Sequence, residues 1–236
     1  MNWMEVRMYC ILFDVDGTIV DSEALIVRAM QDAFEAQSLA APAPKEIQQI
    51  IGLSLPIAVE VLCMPLEGVQ VNTDLIERVG EGYKTSYQHL RDELGHPEPL
   101  FEGTLELLDR LKSQDEVLLG LATGKSMKGV QSLIERFELK GYFHTIQTSC
   151  NAPSKPHPAM IEQALRETGV DAHRTVMIGD TTFDMEMAQN AGVPSIGVTW
   201  GHHEEQELLS FGPRVIVDEF SHLLSAIQET LSIDMF

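Results

Sequence analysis

An apolar run, Tyr9-Cys10-Ile11-Leu12-Phe13, stops abruptly at Asp14 and continues as Val15-Asp16-Gly17-Thr18. A run of that length ending in a breaker reads as a buried strand. An acid deep inside such a strand is costly to bury. The spacing therefore puts Asp14 at the carboxyl end of the strand, facing a crevice, where open α/β sheets bind ligands. Gly17 then lets the chain turn sharply. Asp14 and Asp16 repel one another unless positive charge lies between them, and a divalent cation with hard oxygen ligands, magnesium foremost, answers that need. Taken alone, Asp-x-Asp-Gly is also an ordinary acidic turn after a strand.

The rest of the chain fits an α/β fold, a Rossmann-like doubly wound parallel sheet interrupted once. From Val117 onwards, apolar strand-like runs alternate with helical periodicity, which signals parallel strands. The runs are Val117 to Ala122, His144 to Thr148, Thr175 to Gly179, Ser195 to Val198 and Arg214 to Val217. Helices are predicted from Ser126 to Phe137, from Pro158 to Thr168, from Asp180 to Asn190 with Gly192 as the stop, and from Phe220 to Leu231. Between residues 21 and 97 only helical periodicity appears. One helix follows Asp21 or Ser22 as its cap. Others cover Pro44 to Ile51, Leu55 to Leu62 and Thr73 to Leu94. Glycines 80 and 82 weaken the last by up to about 1 kcal/mol each. Gly95-His96-Pro97-Glu98-Pro99 reads as a return linker. The division is thus a core of residues 1–20 and 98–236 with a helical cap of residues 21–97.

The composition narrows the partners. With 16 basic and 36 acidic residues among 236, the formal net charge is −20. A surface so acidic argues against nucleic acid or an anionic membrane as partner. A phosphate site must then be made positive locally, by a metal, a lysine or helix ends. No apolar run approaches a membrane span, and no secretory signal is visible. Cys10, Cys63 and Cys150 are too scattered for a metal pattern or a disulfide framework, which points to a reducing cytoplasm.

Polar groups sit where strands end. Asp14, Thr123 and Asp180 directly follow apolar strands, and Lys155 follows another after a short loop. In a parallel sheet all four converge on one edge. Singly, Thr123 reads as a helix cap, Lys155 as a solvated loop lysine and Asp180 as a turn former. Together, Asp14-Val15-Asp16-Gly17-Thr18, Thr123-Gly124-Lys125, Lys155-Pro156 and Gly179-Asp180-Thr181-Thr182-Phe183-Asp184 resemble the four motifs of the haloacid dehalogenase-like superfamily. The helical insert resembles the cap of the branch that includes phosphoglycolate phosphatase and β-phosphoglucomutase, and the chain is most similar to the phosphoglycolate-phosphatase-like hydrolases. One departure is Gly124, where many relatives carry Asn.

The resemblance implies a role for each matching residue. Asp14 is the nucleophile that forms an aspartyl-phosphate, splitting one displacement into two. Asp16 protonates the leaving alcohol and then activates water. Thr123, with the Gly124 N–H, holds the phosphoryl oxygens, and Lys155 offsets their charge. Asp14, Asp180 and the backbone carbonyl of Asp16 hold Mg2+, while Asp184 orients Lys155 or a metal-bound water. An acid at position 16 also argues against C–Cl chemistry, which has no leaving alcohol to protonate.

The implied activity is a magnesium-dependent phosphatase for a small phosphorylated metabolite, acting as a monomer or homodimer. A sugar-phosphate mutase and a catalytically silent binding protein are the alternatives. The Gly52-Leu53-Ser54 turn is the segment of the cap expected to reach the site, with hinges near Val20-Asp21 and Gly95–Pro99. Lys125 is expected as a helix-start lysine, although a phosphate contact is open to it. His202 and His203 are expected as solvated loop histidines that could reach the site's rim. Cys150 is expected as a small buried filler, and Met185-Glu186-Met187 as helix surface and core.

Overall fold

The computed structural model describes residues 7–95 and 98–233. Strand β1 (Tyr9–Phe13) is followed by four helices, α1 (Glu23–Ala36), α2 (Pro44–Gln48), α3 (Leu55–Cys63) and α4 (Thr73–Glu93). The chain then alternates: α5 (Thr104–Lys112), β2 (Val117–Thr123), α6 (Met127–Arg136), β3 (Phe143–Thr148), α7 (Ala159–Thr168), β4 (Thr175–Gly179), α8 (Thr182–Ala191) and β5 (Ser195–Val198). It ends with α9 (Glu205–Leu209), β6 (Val215–Val217) and α10 (Leu223–Leu231).

The strands form one six-stranded parallel sheet in the order β3-β2-β1-β4-β5-β6. The order reverses at β1/β4, the crevice where such sheets bind ligands. Both faces are covered, so the strands read as continuous apolar runs rather than alternating ones. The two-residue period still sorts their side chains. Ile11, Phe13, Val176 and Ile178 pack into one apolar cluster, while Cys10, Leu12 and Met177 pack into the cluster on the other face.

Helices α1–α4 bury a separate cluster, with Phe34, Ile47, Val59 and Val79 at its centre. Truncating a side chain as buried as Phe34 to Ala costs about 3–5 kcal/mol in comparable cores. Gly82 packs on Ala33 of α1, where an added Cβ would make ordinary contact at 3.5 Å. Gly80 faces Leu55 of α3 instead, 3.7 Å from where its Cβ would lie. The helical segment leaves and rejoins the sheet through adjacent backbone. Val20 pairs antiparallel with Leu100, Asp21 N–H donates to Pro99 O (2.9 Å) and Phe101 N–H donates to Ile19 O (3.1 Å). Residues His96 and Pro97 of the expected return linker lie outside the described residues, as do residues 1–6 and 234–236.

Several element ends differ from the sequence reading. Helix α2 stops at Gln48 because the N–H groups of Ile50 and Ile51 turn to the carbonyls three residues back, leading into Gly52 at φ +102°. Pro158 occupies the cap position of α7, one residue before the helix. Residues Phe220–His222 form a 3-10 turn ahead of α10, so the final helix starts later than its periodicity indicated. The short α9 was not foreseen, since five residues are too few for a periodic signal.

Candidate functional site

The edge at β1/β4 is built by the ends of four strands. Asp14 follows β1, Thr123 closes β2, Asp180 follows β4, and Lys155 lies in the loop between β3 and α7. The Asp14 N–H donates to Ile178 O (2.9 Å), which keeps β1 and β4 paired up to the acids. All four side chains are buried, each 1% exposed or less. Lys155 is therefore no solvated loop lysine. Its Nζ lies 2.9 Å from Asp14 Oδ1 and 2.6 Å from Asp184 Oδ1. Asp184 is held in turn by Thr181, whose hydroxyl (2.7 Å) and N–H (3.2 Å) donate to Oδ2 in the capping box of α8.

Charge in this pocket does not balance. Ligand atoms of Asp14, Asp180 and Asp184 lie within 4.8 Å of one another, with one lysine among them. Asp14 is raised to about 7, chiefly by burial, with Lys155 pulling it down and the charges of Asp184 and Asp180 pushing it up. Asp14 Oδ2 is buried without a hydrogen-bond partner. An unpartnered carboxylate oxygen beside two further acids fits a hard divalent cation. The Asp16 carboxylate is not part of this trio; its place in the expected ligand set is through its backbone carbonyl.

His202 corrects the expectation of a solvated histidine. Its Nδ1 is 2.7 Å from Asp180 Oδ2, its N–H donates to the same oxygen (2.9 Å), and its side chain is 1% exposed. Thr18 donates to Asp180 Oδ1 (2.8 Å). Against the penalty of burial, these bonds hold Asp180 below the usual carboxylate range, and the Asp180 contact holds His202 above the usual imidazole value. A Cβ on Gly17, at φ +83°, would collide with Asp180 and His202, so only glycine allows that approach. His203 is buried too, and its Nδ1 accepts the Thr182 N–H (3.1 Å).

Asp16 occupies a different environment. Its Oδ1 accepts from Ser22 Oγ (2.6 Å) and from Lys125 Nζ (2.8 Å). Ser22 therefore does not cap α1 with its side chain, as its position suggested; the hydroxyl is turned to the acid. Lys125 is likewise not a surface lysine. Its ammonium also lies 3.3 Å from Tyr87 Oη and 3.8 Å from Glu98 Oε1, and Tyr87 donates to Glu98. Burial works against ionisation of Asp16, but Lys125 and Ser22 outweigh it and lower its pKa. A lysine two residues beyond Thr123, at the same sheet edge, was the sequence signal for this contact. Its reach to Asp16 is not a local property.

The helical segment faces these groups across a cavity of about 580 Å3 lined by Asp14, Asp16, Thr123, Gly124 and the Gly52-Leu53 turn. Ser54 N–H donates to Ser154 Oγ (2.8 Å), tying that turn to the loop that carries Lys155. Gly124 lies directly beneath the turn. A Cβ there would sit 2.5 Å from Gly52 O and 2.6 Å from Leu53 O. The departure from Asn at this position thus has a steric cause. Thr123 Oγ1 accepts the Lys125 N–H (3.1 Å), leaving its own proton free to be donated. Cys150 is exposed rather than buried, and its Sγ accepts the Met127 N–H (3.4 Å).

Comparison with known proteins agrees with this geometry. The sequence profile of haloacid dehalogenase-like hydrolases matches residues 11–198. The chain is 35% identical over 227 residues to "Probable phosphatase IndB" of Dickeya dadantii, covering 94% of this chain and 95% of that one. It is 30% identical to a phosphoglycolate phosphatase of Agrobacterium fabrum, covering 93% and 92%. Among solved structures, a haloacid dehalogenase-like family hydrolase from Streptococcus pneumoniae superposes with a TM-score of 0.77 at 27% identity, covering 94% and 99%. Six parallel strands, acids at the β1 and β4 ends and these relatives lead to one assignment: the chain belongs to the haloacid dehalogenase-like hydrolases.

Proposed function

We propose that this hydrolase is a magnesium-dependent phosphatase of small phosphorylated metabolites, working through an aspartyl-phosphate on Asp14. The observation that carries the reading is the buried Asp14 carboxylate, paired with Lys155 and facing the same cavity as Asp16 and Thr123. Phosphoryl transfer needs chiefly positioning and electrostatic stabilisation. Lys155 supplies positive charge beside the nucleophile, Asp184 holds its ammonium in place, and Thr123 and the Gly124 N–H orient the phosphoryl oxygens. Asp16, fixed through one oxygen by Ser22 and Lys125, gives its proton to the leaving alcohol and takes one from the attacking water.

The two acids titrate in the wrong order for these roles in the bare protein, with Asp14 raised and Asp16 lowered. Asp14, Asp180 and the Asp16 carbonyl would hold a divalent cation, whose charge would favour the ionised form of Asp14. An incoming phosphate dianion beside Asp16 favours its protonated form. Residues 21–97 act as a cap that closes over the site and excludes bulk water. The site of action is the cytoplasm, a reading supported by three free cysteines.

Hydrolysis is favoured over a mutase by the charges of the cap. A mutase must hold a bisphosphate while it reorients, which calls for cap cations. Arg28 pairs with Asp32 and Arg78 with Asp74, while Lys45 is exposed. Of the cap's cations, Lys84 and Arg91 line the cavity, and Lys84 pairs with Glu81 (2.6 Å). The test is Asp14→Asn, which keeps size and removes the nucleophile. Turnover of an aryl phosphate in the presence of Mg2+ should vanish with the thermal transition retained. Substantial residual turnover would rule out Asp14 as the attacking group. Supplying a sugar 1-phosphate with a trace of its bisphosphate separates the two activities: phosphate release supports the phosphatase, and faster isomerisation the mutase.

A further inference from the structure

We propose that the alcohol released by this enzyme is uncharged and carries a largely apolar body, such as a ring, rather than a second anionic group. The inference rests on the phosphatase reading and names the substrate class for the same site. A cavity of about 580 Å3 falls within the roughly 300–1,000 Å3 typical of sites for drug-sized ligands. Phosphoglycolate and pyrophosphate are much smaller.

The lining divides by chemistry. Towards the sheet it is polar, with Asp14, Asp16 and Thr123. Towards the helices it is made by Ile26, Met30, Ile51, Leu53, Ile76 and Tyr83. A substrate carboxylate or second phosphate reaching that wall would lose its hydration without gaining a partner. The charged groups beside Ile76 and Tyr83 do not repair the loss. Glu77 and Glu81 both line the cavity, and Lys84 is bound to Glu81 at 2.6 Å. Lys125 is committed to Asp16. Arg91 sits at the far end of α4, donating to Ser132 Oγ of α6 (3.0 Å) and to Gln88 Oε1 of its own helix (3.3 Å), with its Nε buried and without a hydrogen-bond partner. Lys128, exposed on α6, also lines the cavity. An apolar leaving group, by contrast, buries surface against that wall, and the gain grows with the area covered.

The test compares benzyl phosphate with phosphoglycolate and pyrophosphate on the full chain with Mg2+. Benzyl phosphate is an unactivated ester, as phosphoglycolate is, so the comparison reads recognition rather than leaving-group strength. Benzyl phosphate should exceed both in kcat/KM by about tenfold or more, the low end of what one methylene is worth in an apolar pocket. Equal or faster turnover of phosphoglycolate or pyrophosphate overturns the proposal while leaving the phosphatase reading intact. Failure on all three and on p-nitrophenyl phosphate overturns both. Ile76→Asn should narrow the benzyl-to-glycolate ratio. An unchanged ratio in a variant that melts like the parent would show that this wall does not recognise the substrate, and the proposal would fall. If that variant does not fold, the comparison on the parent chain decides alone.

Discussion

Replacing Gly124 with Asn restores the residue that many relatives carry, yet here it should slow the enzyme. A Cβ at position 124 would stand 2.5 Å from Gly52 O and 2.6 Å from Leu53 O, where 3.4 Å begins ordinary contact. The turn must therefore withdraw by close to an ångström before the amide beyond the Cβ is accommodated. Both obstructing atoms are backbone oxygens, so a side-chain rotation cannot relieve the overlap. Overpacking of this kind costs about 1–3 kcal/mol. If the closed arrangement is the reacting one, that cost enters kcat/KM as a loss of about 5- to 150-fold. Steady-state kinetics on an aryl phosphate, with Gly124→Ala as an intermediate step, measure it. The thermal transition should move little, because the turn can swing away instead of straining the core. The opposite view, that Gly124 merely lacks a phosphate-binding amide, requires the Asn variant to be faster. Unchanged or raised kcat/KM would refute the steric argument.

Three further outcomes follow from the same geometry. Lys125→Met should lower kcat by about tenfold or more with little change in KM, since roughly 1.4 kcal/mol or more of Asp16 positioning is lost; an unaltered kcat would show that the 2.8 Å contact has no part in turnover. Asp14, raised to about 7 where 3.8 is usual, contributes stability to the cation-free protein that is fully present below about 3.8 and lost as pH rises through about 7. Mg2+ must displace that proton at about pH 6 but not at about pH 8, so its stabilising shift in Tm should be larger at the higher pH, and equal shifts would contradict it. A thiol reagent should modify exposed Cys150 in the folded protein and spare Cys10, whose thiol burial pushes up to about 12, and buried Cys63; mass spectrometry of the labelled peptides checks the order.

What the sequence made legible follows the range of the interactions involved. Asp14, Thr123 and Asp180 stood out because each ends an apolar strand, and the parallel sheet brings such ends to one edge. Lys155 could be placed near that edge by the strand before it, but its burial, and Asp184 altogether, were recoverable only through the motif pattern, since nothing local marks a buried lysine. Lys125, Ser22 and His202 were misread for one shared reason. A serine after an acid looks like a helix cap, and a lysine or histidine in a polar loop looks solvated, until the fold supplies the partner. Lys125 meets Asp16 across 109 positions and His202 meets Asp180 across 22. The helix lengths were read well where periodicity ran long, as in α4, and poorly where a turn tightened the last residues, as at Ile50 and Ile51.

The backbone bonds that join residues 19–21 to residues 99–101 bear on how such a protein can be rebuilt. Chain leaving the sheet and chain returning to it lie side by side and are already fastened together. Whatever is spliced between them, long or short, meets the same two docking points and leaves the path from β1 to α5 unaltered. Closing a longer insert at such a base is cheap, about 0.6 kcal/mol for each doubling of its length. The helical segment also keeps its apolar cluster to itself, which is what an exchangeable cassette requires. A graft at this neck that is to change the leaving group must keep Ser22, whose hydroxyl holds Asp16 from just inside the exchanged segment.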